Sequence, residues 1–235
     1  MPNGVAAHAD DHGHAHVHVH HPAHQHHFET MEQQQEAATL GMWVFLVTEI
    51  MFFGGLLMAY MLYRVWYPEA WSEGSEQLSI VLGGTNTLVL IASSLTMALA
   101  VRAAQTGRPP KVIVGWLGIT MAFGLTFLVI KFFEYKEKFE LGHVPGRYFH
   151  EEGPNAIHLQ IFYSLYFCLT GLHALHMIIG FVMLSVIAWM AAKGKFDQQW
   201  YTPVEMAGLY WHFVDIVWIF LFPLLYLVDR AHQLS

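Results

Sequence analysis

The side chains best able to do chemistry in this sequence stand inside its apolar runs. Glu49 sits near the middle of "FLVTEIMFFGGLLMAY", residues 45–60. His173 and His176 are three apart in "GLHALHMIIG", residues 171–180, and His212 and Asp215 are three apart in "YWHFVDIVWIFLF", residues 210–222. Lys131 and Glu134 close another apolar run with the same spacing. Residues three apart on a helix share a face. Each pair is therefore an ion pair, a hydrogen-bonded bridge or half of a metal site. Lys131 and Glu134 read as a local ion pair near the membrane interface. His212 and Asp215 read as a polar bridge, to each other or across to a neighbouring helix.

His173 and His176, joined by His212 and Glu134, would supply four metal ligands from three helices. Two histidines at this spacing in an apolar helix fit polar contacts between helices better, so no metal is expected within the membrane. A catalytic haem–copper chain needs more membrane histidines, and a dinuclear copper site needs two cysteines where this chain has only Cys168. Glu49 has Phe45, Leu46, Phe52 and Phe53 three and four positions away. Its partner must come from another helix, or it is protonated. Its open roles are an interhelical hydrogen bond, proton handling and a lipid-headgroup contact.

The elements that must carry these residues follow from composition. Of 235 residues, 55% are hydrophobic and 12% charged, against about 25% charged in soluble domains. Five runs reach the roughly 20 apolar residues that a spanning helix needs. Only helices or closed barrels satisfy the backbone in lipid, so the expected fold is all-α, an integral membrane bundle of five transmembrane helices. Their expected ranges are about 37–63, 78–101, 112–135, 158–192 and 204–229, within a membrane domain 36–235. The fourth run, about 34 residues, is roughly 50 Å as a helix and must tilt or project beyond the bilayer. The linkers, such as "YPEAWSEGSEQ" and "RAAQTGRPPK", read as membrane-surface turns. Short basic second and fourth loops favour the inner side for those loops.

Residues 1–35 read as a disordered His-rich tail, with ten of the chain's seventeen histidines in the first 27 positions. Such a segment buries too little apolar surface to offset its ordering entropy. His12, His14, His16, His18 and His20 are expected to bind metal weakly at most. The net charge of −7 and the lack of a basic, aromatic-rich cluster argue against nucleic acid as a partner.

Taken in order, "VTEIMFFGG", "TNTLVLIASS", "FEYKEKF", "GLHALHMIIG" and "YWHFVDIVWIFLF" resemble successive helices of the cytochrome c oxidase subunit III family, in its five-helix bacterial form. The resemblance covers about residues 37–230. It implies a non-catalytic subunit of a haem–copper terminal oxidase in an aerobic respiratory chain. That subunit would stabilise the catalytic subunit and support proton uptake and O₂ access during reduction of O₂ to water. It implies subunit I and subunit II as partners, bound phospholipid, and membership of a respiratory supercomplex. Haem and copper would lie in the partner subunits and none in this chain. It implies a bacterial plasma membrane location with a cytoplasmic N-terminus and an outer C-terminus. It also matches Glu49 to the family's membrane carboxylate that reacts with hydrophobic carbodiimides. Cytochrome c is the expected electron donor. A quinol oxidase or a nitric oxide reductase with a similar accessory chain is the alternative.

Overall fold

The computed structural model describes residues 25–146, 149 and 154–227. The helices are α1 (Met31–Trp66), α2 (Pro68–Glu76), α3 (Ile80–Gln105), α4 (Pro110–Glu140), α5 (Ala156–Ala192) and α6 (Thr202–Phe222), with a π-helical turn at Pro223–Leu227. Five helices are long and apolar enough to span a membrane: α1, α3, α4, α5 and α6 with its π turn. The predicted all-α bundle of five spans is thus observed.

The boundaries move where local chemistry extends a helix beyond its apolar run. Helix α1 starts at Met31, so residues 31–35 are helical rather than part of a disordered tail. Thr30 is the reason: its hydroxyl accepts the Gln33 N–H at 3.1 Å and caps the first turn. Residues 1–24, with the five named tail histidines, lie outside the described residues. So do 228–229, the expected end of the fifth span. The loop "YPEAWSEGSEQ", expected as a plain turn, instead folds into α2, started by Pro68 in its first turn. At nine residues and with three carboxylates, α2 shows no apolar period in the sequence. Trp71 and Ala70 nonetheless bury it against the bundle end.

Helices α3, α4, α5 and α6 form a ring in which α3 packs on α4 and α6, and α5 also packs on α4 and α6. Helix α1 docks outside this ring on α5 and α6, and α2 lies across the end of α5. The turns of the ring are set by glycine. Gly107 and Gly194 adopt φ of 62° and 66°, a left-handed conformation that carries a Cβ at a steric cost. In both turns the residue after the glycine donates back to the helix: Arg108 N–H to Ala103 O at 2.9 Å and Lys195 N–H to Met190 O at 3.2 Å. These are Schellman ends, and they return α4 beside α3 and α6 beside α5.

Lipid gives helices no hydrophobic drive to associate, so close packing must hold them. Trp211 is the wedge of the ring. Its buried ring lies over Gly124 of α4 and Gly180 of α5, and its Nε1–H donates to Ser93 Oγ of α3 at 2.9 Å. A Cβ on Gly124 would sit 2.8 Å from this ring. Gly124→Ala should therefore lower the thermal unfolding midpoint in detergent, at a cost of about 1–3 kcal/mol. Gly118→Ala on the same helix, with nothing within 4 Å of the added Cβ, should not. Equal midpoints for the two variants would contradict the wedge.

Candidate functional site

Two polar clusters occupy the interior. The first is built on Lys131 and Glu134 of α4. Their spacing makes the expected ion pair, with Nζ and Oε2 3.1 Å apart. The side chains are 3% and 1% exposed, deep in the bundle. The ion pair is buried because two other elements complete it. Lys131 Nζ donates to Tyr166 Oη of α5 at 3.2 Å and to Tyr226 Oη of the π turn at 3.1 Å. Both phenols in turn donate to Glu134 Oε1, Tyr166 at 2.7 Å. The Lys131 ammonium also lies 5.1 Å from the Trp218 ring centre and 5.3 Å from that of Tyr135. All three ammonium protons and both carboxylate oxygens of the pair thus have a partner, the condition under which a buried ion pair is tolerable.

The second cluster answers what partners Glu49. His176 of α5 places Nε2 3.5 Å from Glu49 Oε2, linking α1 to the ring. The other imidazole nitrogen, Nδ1, lies 3.1 Å from Tyr210 Oη of α6. Phe53 covers the imidazole face with centroids 5.3 Å apart. Glu49, His176 and Tyr210 form a continuous line of three titratable groups from three helices. The line ties α1 to the bundle. Glu49 itself remains 18% exposed, at the rim of the chain rather than its centre.

His173 does not join His176. It is fully buried between Phe127 and Trp218, and neither ring nitrogen has a hydrogen-bond partner among the described residues. An offset of three residues rotates the two imidazoles enough to send one into the ring core and the other toward α1. His212 and Asp215 do not bond each other either. His212 Nδ1 meets Ser94 Oγ of α3 at 2.7 Å. Asp215 is buried next to that same serine, and its oxygens make no well-aligned hydrogen bond among the described residues. Of this pair, His212 makes the hydrogen bond from α6 to α3.

The metal set tested on the sequence does not converge. Among the described residues no three His, Cys, Asp or Glu side chains lie close enough to hold an ion. The described donors stand instead as a Glu–His pair in one place and a His–Ser pair in another.

Sequence reasoning missed the tyrosines. Tyr166, Tyr210 and Tyr226 complete both clusters, yet each sits inside a run of apolar residues and reads as packing. The available signal was that a buried phenol seeks a partner. Gln35 was also missed; its Nε2 donates to Glu205 Oε2 and Tyr201 Oη, each at 3.4 Å, tying the start of α1 to the start of α6.

A ring of four spans with a fifth docked outside, and with polar side chains paired across helices, defines a multi-pass membrane protein. The profile of the family described as Cytochrome c oxidase subunit III matches residues 19–229. A cytochrome c oxidase subunit 3 from Synechocystis sp. is 35% identical over 88% of this chain and 80% of its own length. The corresponding protein of Thermostichus vulcanus is 33% identical over 81% of this chain and 87% of its own. A protein of Aeropyrum pernix named heme-copper oxidase subunit I+III is 31% identical over 80% of this chain, which covers 22% of that longer protein. The chain belongs to the cytochrome c oxidase subunit III family and is a membrane subunit of a haem–copper oxidase.

The Lys131 cluster makes a direct prediction. Lys131→Met and Glu134→Gln should each destabilise the protein strongly, by about 3–5 kcal/mol, because each strands the other charge in the interior. The double variant should lose less than the sum of the two in a thermal unfolding cycle. Additive losses would show that the two side chains do not interact.

Proposed function

We propose that this chain is the non-catalytic subunit III of a terminal oxidase that reduces O₂ to water with electrons from cytochrome c. Its redox centres, haem and copper, belong to partner subunits, with subunit I its direct neighbour and subunit II completing the complex. The observation that carries this reading is the pairing pattern inside the bundle. Glu134, His176 and His212 are engaged with lysine, tyrosine and serine partners, His173 is enclosed by aromatic rings, and among the described residues no three His, Cys, Asp or Glu side chains are grouped as a metal requires. The fusion of subunits I and III in the Aeropyrum pernix relative supports subunit I as the neighbour. Helix α1 and the outer face of α5 offer apolar surface for that neighbour and for phospholipid: Ile50, Met51, Phe52, Ile178, Ile179 and Val182 are all exposed.

In this role the chain supports turnover rather than performing it. The Glu49–His176–Tyr210 line is the group best placed to hold a proton at the chain's surface, and it serves proton uptake by the complex. The bilayer is the bacterial plasma membrane, with the start of α1 on the cytoplasmic side. The two short basic loops, which share that end of the bundle, agree with this orientation. A larger respiratory assembly is compatible with the apolar outer surface.

A tagged chain solubilised gently should co-purify with a haem- and copper-bearing subunit showing an a-type haem spectrum. Isolation with b-type haem and non-haem iron would assign it to a nitric oxide reductase instead. In the same preparation, Glu49→Gln should leave co-purification intact, because the amide keeps the shape and still meets His176. Glu49→Lys should reduce it, since a lysine at mid-helix costs about 2.5–3.5 kcal/mol on insertion and faces an imidazole donor. Loss of assembly in Glu49→Gln would mean that a carboxylate charge is required.

A further inference from the structure

We infer that the α3–α4 turn is a binding site for the phosphodiester headgroup of an anionic phospholipid. The inference adds a headgroup site to the apolar α1 and α5 surface proposed above for phospholipid, and it depends on the membrane placement of the chain, not on which enzyme it serves. A hollow of about 480 Å³ lies between the end of α3 and the start of α4. Its polar rim is Arg102, Arg108 and Thr106, and its floor is Leu99, Val112 and Trp116. None of its lining residues is acidic.

Three features make this a lipid site rather than a generic basic surface. The first is depth. Arg102 lies in the last turn of α3 and Arg108 in the turn itself, while Trp116 stands six residues into α4, about 9 Å farther in. Guanidinium groups at the headgroup level above an interfacial tryptophan and aliphatic side chains match an amphiphile end on. The second is chemistry. Two guanidinium forks facing one hollow suit the two free oxygens of a phosphodiester, which each can take in a bidentate way. Thr106 leaves the hollow to them, since its hydroxyl is engaged with Arg102 O at 2.8 Å.

The third is rigidity and field. The Schellman end at Gly107 fixes the turn, and Gln198 from the α5–α6 loop donates to Thr106 O at 3.4 Å, pinning the two basic loops together. That second loop brings Lys193 and Lys195, both held against the Trp189 ring with ammonium-to-centroid distances of 3.8 and 5.8 Å. These lysines and Lys111 raise the local positive potential without entering the hollow. Asp197 and Glu205 are opposing charges in the neighbourhood, and Asp197 Oδ1 accepts from Gln199 N–H and Trp200 N–H at 2.9 and 2.8 Å within its own loop. Glu205 borders an adjacent hollow that Arg102 shares, and it accepts from Gln35 on the other side.

The test uses the intact complex in phosphatidylcholine nanodiscs doped with a photoactivatable phosphatidylglycerol. Label on this chain should concentrate on peptides containing Leu99 and Trp116. In Arg102→Gln/Arg108→Gln it should fall by about tenfold or more, at roughly one order of screening per pair of lost charges. Arg102→Lys/Arg108→Lys should restore part of it. A photoactivatable phosphatidylcholine should label both proteins alike, and millimolar inorganic phosphate should not compete. Undiminished phosphatidylglycerol labelling in the double Gln variant would overturn the site. So would an equal loss in Lys193→Gln/Lys195→Gln, which would indicate diffuse charge, or displacement by free phosphate, which would indicate a simple anion site. Co-purification of the variants with the haem-bearing subunit tests the oxidase reading separately, and it should be unchanged.

Discussion

Lipid offers no hydrogen bonds, and this constraint orders the whole structure. A polar side chain inside a span is driven to find its partner within the protein, and among the described residues Asn86, His173 and Asp215 are the buried exceptions in the spans. Helix α6 shows the consequence most fully. Along one helix, Tyr210 reaches His176 on α5, Trp211 reaches Ser93 on α3, His212 reaches Ser94 on α3, and Trp218 Nε1–H donates to Thr87 Oγ1 on α3 at 3.1 Å. These side chains therefore act as keys that fix the register of α6 against its neighbours. Apolar side chains in lipid do not supply that register, because a tail and a leucine are equivalent surroundings.

The same constraint explains why α1 stays attached. Most of its surface is apolar and exposed, from Trp43 and Val44 through Met58 to Val65. It leaves an apolar groove of about 520 Å³ against α6. Three polar contacts spaced along its length hold it: Gln35 to Glu205 and Tyr201 near one end, Glu49 to His176 at the middle, and Tyr60 Oη to Leu224 O at 2.9 Å near the other. That last contact falls in the π turn Pro223–Leu227 at the end of α6. Glu49 thus has a structural task that coexists with any protonic one.

How much was legible depended on the range of the interaction. The five spans could be read because length and absence of charge are local properties. The Lys131–Glu134 contact could be read because it spans one helical turn. Its burial could not, because Tyr166 and Tyr226 come from α5 and from the π turn, 35 and 95 residues away from Lys131. The partner of Glu49 was hidden for the same reason, lying on a helix remote in sequence. His173 and His176 show the opposite failure: a shared face suggested a shared role, and the packing of Trp218 and Phe53 separated them. Helix α2 escaped because its burial rests on Trp71 and on a tertiary surface, not on a period of its own.

The account stands on α4 crossing lipid with its polar side turned inward. A nitroxide scan along α4, in the assembled complex with Cys168 replaced, tests this most directly. Labels at Leu125, Val129, Phe132 and Phe133, all exposed on the bundle surface, should be open to lipid-dissolved oxygen unless a partner subunit covers them, and closed to a water-soluble nickel chelate. Labels at Leu117, Thr120 and Phe127, all fully buried, should be closed to both. Access of the nickel chelate to the first set, or greater oxygen access at the second, would contradict the inward-turned bundle.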